Sequence, residues 1–259
     1  MPELELYQYL LITLTFIWSG FVRSGLGFGG SVLSLPFMLL IDDRPLVYLP
    51  IVSVHLLFFA GITLYKNWEK NKNEKTENVE NQSHVDWSYL KSSLKIMIIP
   101  KLIGVLGLIT LPAHIMSGII FSIVSLYAIS YILNRPFATN SKKLDVVFLV
   151  IGAYFSGTSL IGGPLIVAVY TSNVAREQLR DTIFALWMIL VSIKMAAFIY
   201  AGVDLNLIYH IWLLPCAGIG HLVGLRFHRI MLEADPVVFY RILGSVLLLV
   251  SVFGLAKIL

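Results

Sequence analysis

Apolar stretches fill almost the whole chain, and two of them are too long to be single membrane spans. Stretches of about 18 or more residues with few charges run over residues 5–41, 46–65, 89–111, 113–133, 144–170, 182–202, 207–225 and 237–259. A span needs about 20 residues, so 5–41 and 144–170 each have to break or turn. Both carry the means to do so, Gly25-Leu26-Gly27-Phe28-Gly29-Gly30-Ser31 in one and Gly157-Thr158-Ser159-Leu160-Ile161-Gly162-Gly163-Pro164 in the other. Lipid tolerates broken backbone only where it is buried in protein or lines a cavity. The two breaks are therefore the first place to look for function.

Composition agrees with an all-α polytopic membrane protein: 58% of residues are apolar, 13% are charged, and the mean hydropathy is +0.83. No Lys or Arg precedes Arg23 and no small-x-small cleavage pattern follows, so the first segment reads as a retained span. The single cysteine, Cys216, excludes an internal disulfide, and no metal site or cofactor is expected. Residues 66–83, rich in Lys, Glu, Asn and Gln, cannot bury a core and read as a mobile loop. No feature points to nucleic acid.

The chain overlays on itself. Gly29-Gly30 matches Gly162-Gly163, Tyr65 falls near Tyr200, and Val85-Asp86 matches Val203-Asp204. The difference in length between the halves is about that of the polar loop. The expected organisation is thus a first membrane repeat over 1–134, with its polar loop at 66–84, and a second over 135–259. Each repeat is a broken segment followed by three ordinary spans, an architecture common in transporters.

Charge bears on the sense of the repeats. If each broken segment returns to its starting side, only Arg44 and Lys257 lie opposite the other inter-span Lys and Arg. If each crosses once, the two sides are far more evenly charged. The positive-inside rule favours return, which puts both termini outside and inverts one half relative to the other. Short helices would then start at Ser31 and at Pro164, where proline suits the first helical position. Their N-terminal N–H groups, aimed at the membrane midplane, would attract an anion, and Ser31, Thr158 and Ser159 add hydroxyls. The alternative is that these glycines only allow helices to pack closely. The same residues can be read as Gly25-x-Gly27-x-x-Gly30, but a dinucleotide site needs a preceding strand and an acidic residue about 20 positions on, and neither is present.

Ionisable groups at depth are costly and commonly functional. Arg23 lies just before the first motif, and Lys101 and Lys194 lie well inside their spans. Any of them facing a cavity would supply positive charge, Arg23 with a fork suited to an oxyanion; the alternative is snorkelling to the interface. Lys95 and Arg241 read as interfacial anchors. No Asp or Glu sits mid-span, so proton coupling would fall to His55 or His221, each of which can also be a packed, hydrogen-bonded histidine. Asp86 and Asp204 read as caps at span starts; Pro50, Pro100 and Pro215 read as kinks. The spans hold no paired carboxylates, histidine cluster or Ser–His pair of recognisable spacing, so an enzyme is not expected.

The chain resembles the sulfite exporter TauE/SafE family, also called the 4-toluene sulfonate uptake permease family. The resemblance rests on the glycine-rich stretch leading through Ser31 to Pro36, on Gly162-Gly163-Pro164, on Val85-Asp86-Trp87 echoed by Val203-Asp204, and on the two-repeat length. Two features depart from it: each motif has two consecutive glycines where the family commonly has three or more, and a long mixed-charge loop precedes Val85. The resemblance implies a carrier of the bacterial inner membrane that moves sulfite, organosulfonates or related sulfur-containing or carboxylate anions. The substrate-binding candidates are then Arg23, Gly27, Gly29, Gly30, Ser31, Gly157, Thr158, Ser159, Gly162, Gly163, Pro164, Lys101 and Lys194. The expected partners are a small anion and the lipid bilayer, and nothing in the sequence opposes a homo-oligomer. A passive anion channel would use the same helix ends.

Overall fold

The computed structural model describes residues 4–26, 30–74, 85–135, 137–231 and 236–258, and every regular element among them is helical. The helices are α1 (Leu6–Leu26), α2 (Gly30–Ile41), α3 (Pro45–Glu74), α4 (Trp87–Thr110), α5 (Ala113–Ile132), α6 (Lys142–Ser159), α7 (Gly163–Asn173), α8 (Arg176–Tyr200), α9 (His210–Met231) and α10 (Pro236–Ile258). A short 3₁₀ turn, Leu207–Tyr209, leads into α9. Among the described residues six helices are long and apolar enough to cross a membrane: Pro45–Tyr65 within α3, α4, α5, α8, Leu207–Arg226 within the α9 region, and Tyr240–Ile258 within α10. The two over-long stretches are the ones that split, into α1 with α2 and α6 with α7.

Local chemistry sets the boundaries. Asp86 caps α4, its Oδ1 accepting the Tyr89 N–H at 2.9 Å, and Ser141 caps α6 by accepting the Leu144 N–H at 3.3 Å. Asp204 Oδ1 accepts the Asn206 N–H at 2.9 Å at the turn before α9. The helix α6 stops at Leu160, which takes the left-handed conformation (φ 62°) usually left to glycine, and its N–H closes on the Ser156 carbonyl at 3.2 Å. Pro164 occupies the first turn of α7. The short helices begin at Gly30 and Gly163, one residue before the expected Ser31 and Pro164. Pro50, Pro100 and Pro215 lie inside α3, α4 and α9.

The expected loop from residue 66 requires a correction. The helix α3 continues to Glu74, because adding residues to a helix already nucleated costs little and Lys and Glu are good helix formers. Residues 75–84 lie outside the described ones.

Helices pair in a pattern that exchange of the two halves leaves unchanged: α1 packs along α9 and α6 along α4, while α5 packs on α10 and α3 on α8. Glycines set the first two distances. A Cβ added at Gly20 would lie 2.0 Å from the Ala217 carbonyl oxygen, and one at Gly220 1.9 Å from that of Ile17. Between α4 and α6, a Cβ at Gly104 would lie 2.4 Å from the Tyr154 carbonyl oxygen and one at Gly157 2.4 Å from that of Lys101. Backbone-to-backbone approach of this kind is how helices bind each other where lipid removes the hydrophobic driving force.

Hydrogen bonds tie the helix termini into two ends. At one end Gln8 Nε2 donates to the Ile41 carbonyl at 3.2 Å, Lys257 Nζ to that of Leu40 at 3.2 Å, and Ser117 bonds Asp43. At the other end Thr139 bonds Ser172 at 3.2 Å, Asn173 Nδ2 donates to Asp145 at 3.2 Å, and the Asp86 N–H donates to Thr182 Oγ1 at 2.9 Å. The start of α1 thus lies beside the close of α2, and the start of α6 beside the close of α7. The chain leaves each broken pair at the end where it entered.

Candidate functional site

Two N-terminal turns of short helices and the end of α1 meet around a cavity of about 100 Å³, room for a few water-sized groups. Gly30 and Ser31 of α2 and Gly163 of α7 line it, and Ser31 Oγ donates to the Leu160 carbonyl at 3.1 Å, joining the first break to the second. Arg23 enters from α1. Its guanidinium carbon sits 3.9 Å from the centroid of the Phe59 ring, a cation–π contact, and its buried Nη2 has no hydrogen-bond partner among the described residues. Arg180 lines the cavity from α8 and is exposed, so the cavity reaches the surface near the start of that helix.

Two histidines complete the polar lining. His221 Nδ1 pairs with Ser24 Oγ, and its ring lies 5.4 Å from that of Phe59. His55 is 3% exposed, its ring 5.0 Å from that of His210, and its Nε2 is unpartnered among the described residues. No Asp or Glu is among the described lining residues. Two arginines without a carboxylate make the site electropositive, and a buried guanidinium nitrogen lacking an acceptor is a costly omission unless something supplies one.

The remaining sequence candidates fall elsewhere. Gly27 and Gly29 lie outside the described residues. Gly157 serves the α4–α6 contact described above. Gly162 meets α6, where a Cβ would lie 1.9 Å from the Gly152 carbonyl oxygen. The Thr158 and Ser159 hydroxyls both donate back to the Phe155 carbonyl, at 3.1 and 2.9 Å, and neither residue lines the cavity, nor does Pro164.

Lys101 and Lys194 are both 0% exposed, and both reach the C-terminal turn of α6. Lys101 Nζ donates to the carbonyl and the hydroxyl of Ser156, each at 2.9 Å; Lys194 Nζ donates to the Thr158 carbonyl at 3.4 Å and lies 5.6 Å from the Phe198 ring centroid. These carbonyls belong to the helix end that carries partial negative charge. Lys95 and Arg241 are exposed.

Sequence reasoning missed Ser156, Phe59, Arg180 and the Ser24–His221 pair. Ser156 adjoins the second glycine motif, and Arg180 in the sequence is one of several charges between spans. Phe59 and the Ser24–His221 contact, joined across distant helices, leave no local signal.

A multi-pass helical bundle with two broken segments meeting at an electropositive cavity has the build of a membrane transporter. The family model for the sulfite exporters TauE/SafE matches residues 12–254, and the chain belongs to that family. Membership places it among proteins of membrane transport. No curated protein and no solved structure matches the chain.

Proposed function

We propose that the chain carries small oxyanions, sulfite, organosulfonates or related sulfur-containing or carboxylate anions, across the cytoplasmic membrane, binding them in the cavity between the two breaks. The observation that carries this reading is Arg23: a guanidinium over the Phe59 ring whose buried Nη2 is unpartnered among the described residues, in a cavity whose described lining holds no carboxylate. The N-termini of α2 and α7 bring N–H dipoles to the same place. Should a proton travel with the anion, His55 and His221 are the titratable groups at the cavity to hold it.

The same reading takes 1–134 and 135–259 as inverted repeats. Support comes from the return of each broken pair to its own end and from the exchange pattern of helix packing. The charges add to it: Arg44 and Lys257 lie at the end with Gln8 and Ile41, and Lys142, Lys143 and Arg176 at the other. By the positive-inside rule the second end is cytoplasmic, and the cavity, reaching the surface at Arg180, faces the cytoplasm.

Purified protein in liposomes tests the transport reading. Sulfite uptake should saturate and exceed that of chloride and acetate; a flux that rises without saturation makes the protein a channel, and no flux overturns the reading. Cysteines placed singly at Asn140 and Asn173 in a Cys216→Ser background should both react with an impermeant thiol reagent from one side. Reaction from opposite sides removes the inverted repeat.

A further inference from the structure

The hydroxyls that line the cavity are not equivalent. Ser19 donates to the Gly30 carbonyl at 3.3 Å, Ser31 to that of Leu160 at 3.1 Å, Thr63 to that of Phe59 at 2.9 Å, and Ser24 pairs with His221. Ser156 differs from all of them. An ammonium has only donors, so in the 2.9 Å contact with Lys101 Nζ the Ser156 hydroxyl oxygen is the acceptor. Its own hydrogen enters no hydrogen bond among the described residues.

A helical serine ordinarily donates to the carbonyl four residues back. For Ser156 that group is the Gly152 carbonyl, which the backbone of Gly162 covers so closely that a Cβ there would lie 1.9 Å from its oxygen. Ser156 is 2% exposed and lines the cavity, so the cavity is where its hydrogen can meet an acceptor. Lys101 is 0% exposed, and its two hydrogen bonds go to this one residue.

We propose that Lys101 is a positioning residue for the transported anion: by donating to Ser156 Oγ it turns the hydroxyl hydrogen into the cavity, making Ser156 the second donor beside Arg23. This rests on the anion-transport reading. A hydroxyl that accepts from a cation is polarised and donates more strongly, so the lysine charge reaches the anion through one hydroxyl without contact. Two donors set apart, a guanidinium on α1 and a hydroxyl on α6, suit an anion with several oxygens better than a single-atom halide. Lys194, bonded only to a backbone carbonyl, has no such route to the cavity.

The test is the apparent KM for sulfite uptake by the full-length protein in liposomes, with the melting temperature measured beside it. Ser156→Ala should raise KM roughly ten-fold or more, the scale of a lost hydrogen bond to a charged group, with a lower melting temperature, because buried Lys101 loses one of its two acceptors. Lys101→Met should raise it comparably in the wild type but add little in the Ser156→Ala background, because both substitutions remove the same donor. Independent, multiplying effects of the two substitutions would overturn the proposal, as would a lowered melting temperature at unchanged KM. Ser156→Ala removes only a hydroxyl, so an unchanged KM in that variant is decisive even if Lys101→Met does not fold. No saturable sulfite uptake by the wild type would overturn the transport reading itself, whereas normal uptake with an insensitive Ser156→Ala would overturn only the role of Lys101.

Discussion

The last turn of α6 and the cavity it borders hold the same kinds of residue, buried cations and glycines, put to opposite uses. At the helix end the cations are engaged, Lys101 with Ser156 and Lys194 with Thr158. The glycine there, Gly157, is pressed by the backbone of α4. In the cavity Arg23 keeps a buried nitrogen without a partner among the described residues, and a Cβ at Gly163 would meet nothing nearer than Trp187 at 3.8 Å. Buried charge and glycine in a membrane span are therefore not signals of function by themselves. What separates the two regions is whether the protein supplies the partner.

The glycines should give the largest contrast. Gly157→Leu has to separate α4 from α6, since even a Cβ would lie 2.4 Å from the Lys101 carbonyl oxygen, and a packed backbone cannot yield by that much. Size-exclusion chromatography should show loss of monodisperse protein. Gly163→Leu should instead insert and remain monodisperse while its side chain, whose Cβ would make only ordinary contact with Trp187, fills the cavity and abolishes uptake. Equal folding losses in the two variants would erase the distinction.

Next comes Arg23. Arg23→Lys keeps the charge but loses the fork and the guanidinium contact with Phe59, and should weaken sulfite binding by roughly 1.5–3 kcal/mol, about 10- to 100-fold. Unchanged affinity, measured by the substrate-induced thermal shift, would make Arg23 a packing cation like Lys194.

The smallest effect on transport is expected from Lys194→Met. Methionine keeps an unbranched stem and removes the ammonium, leaving the Thr158 carbonyl without that donor. The melting temperature should fall while the apparent KM for sulfite stays at the wild-type value. A raised KM would carry Lys194 into the site and blur the comparison.

The eight apolar stretches, the two that break and, to within one residue, the starts of the short helices were legible in the sequence, because apolar length, glycine pairs and Pro164 act locally. Asp86 was legible for the same reason: a carboxylate at the cap position has a first-turn backbone N–H within reach whatever the tertiary structure does. Asp204 instead accepts the Asn206 N–H within the turn, and Asn206 takes the cap position of the next helical turn. The end of α3 was not, since composition says that residues 66–74 need no core but not that a helix already formed will carry through them. Arg23, Gly30, Ser31, Gly163, His55 and His221 were named from sequence and the fold brings them to one cavity. Lys101 and Lys194 were named on the same grounds and are turned to the end of α6.

What the sequence by itself determined is thus a helical membrane protein with two breaks and a surplus of buried cations, since hydropathy and backbone chemistry are properties of short segments. Which cation is left unpaired, which glycine is open and which serine keeps its hydrogen free were decided only by tertiary structure. The partners of these groups come from helices distant in sequence, Arg23 meeting Phe59 of α3 and Ser156 meeting Lys101 of α4, and a hydrogen bond or a steric limit exists only once packing has fixed both sides of it.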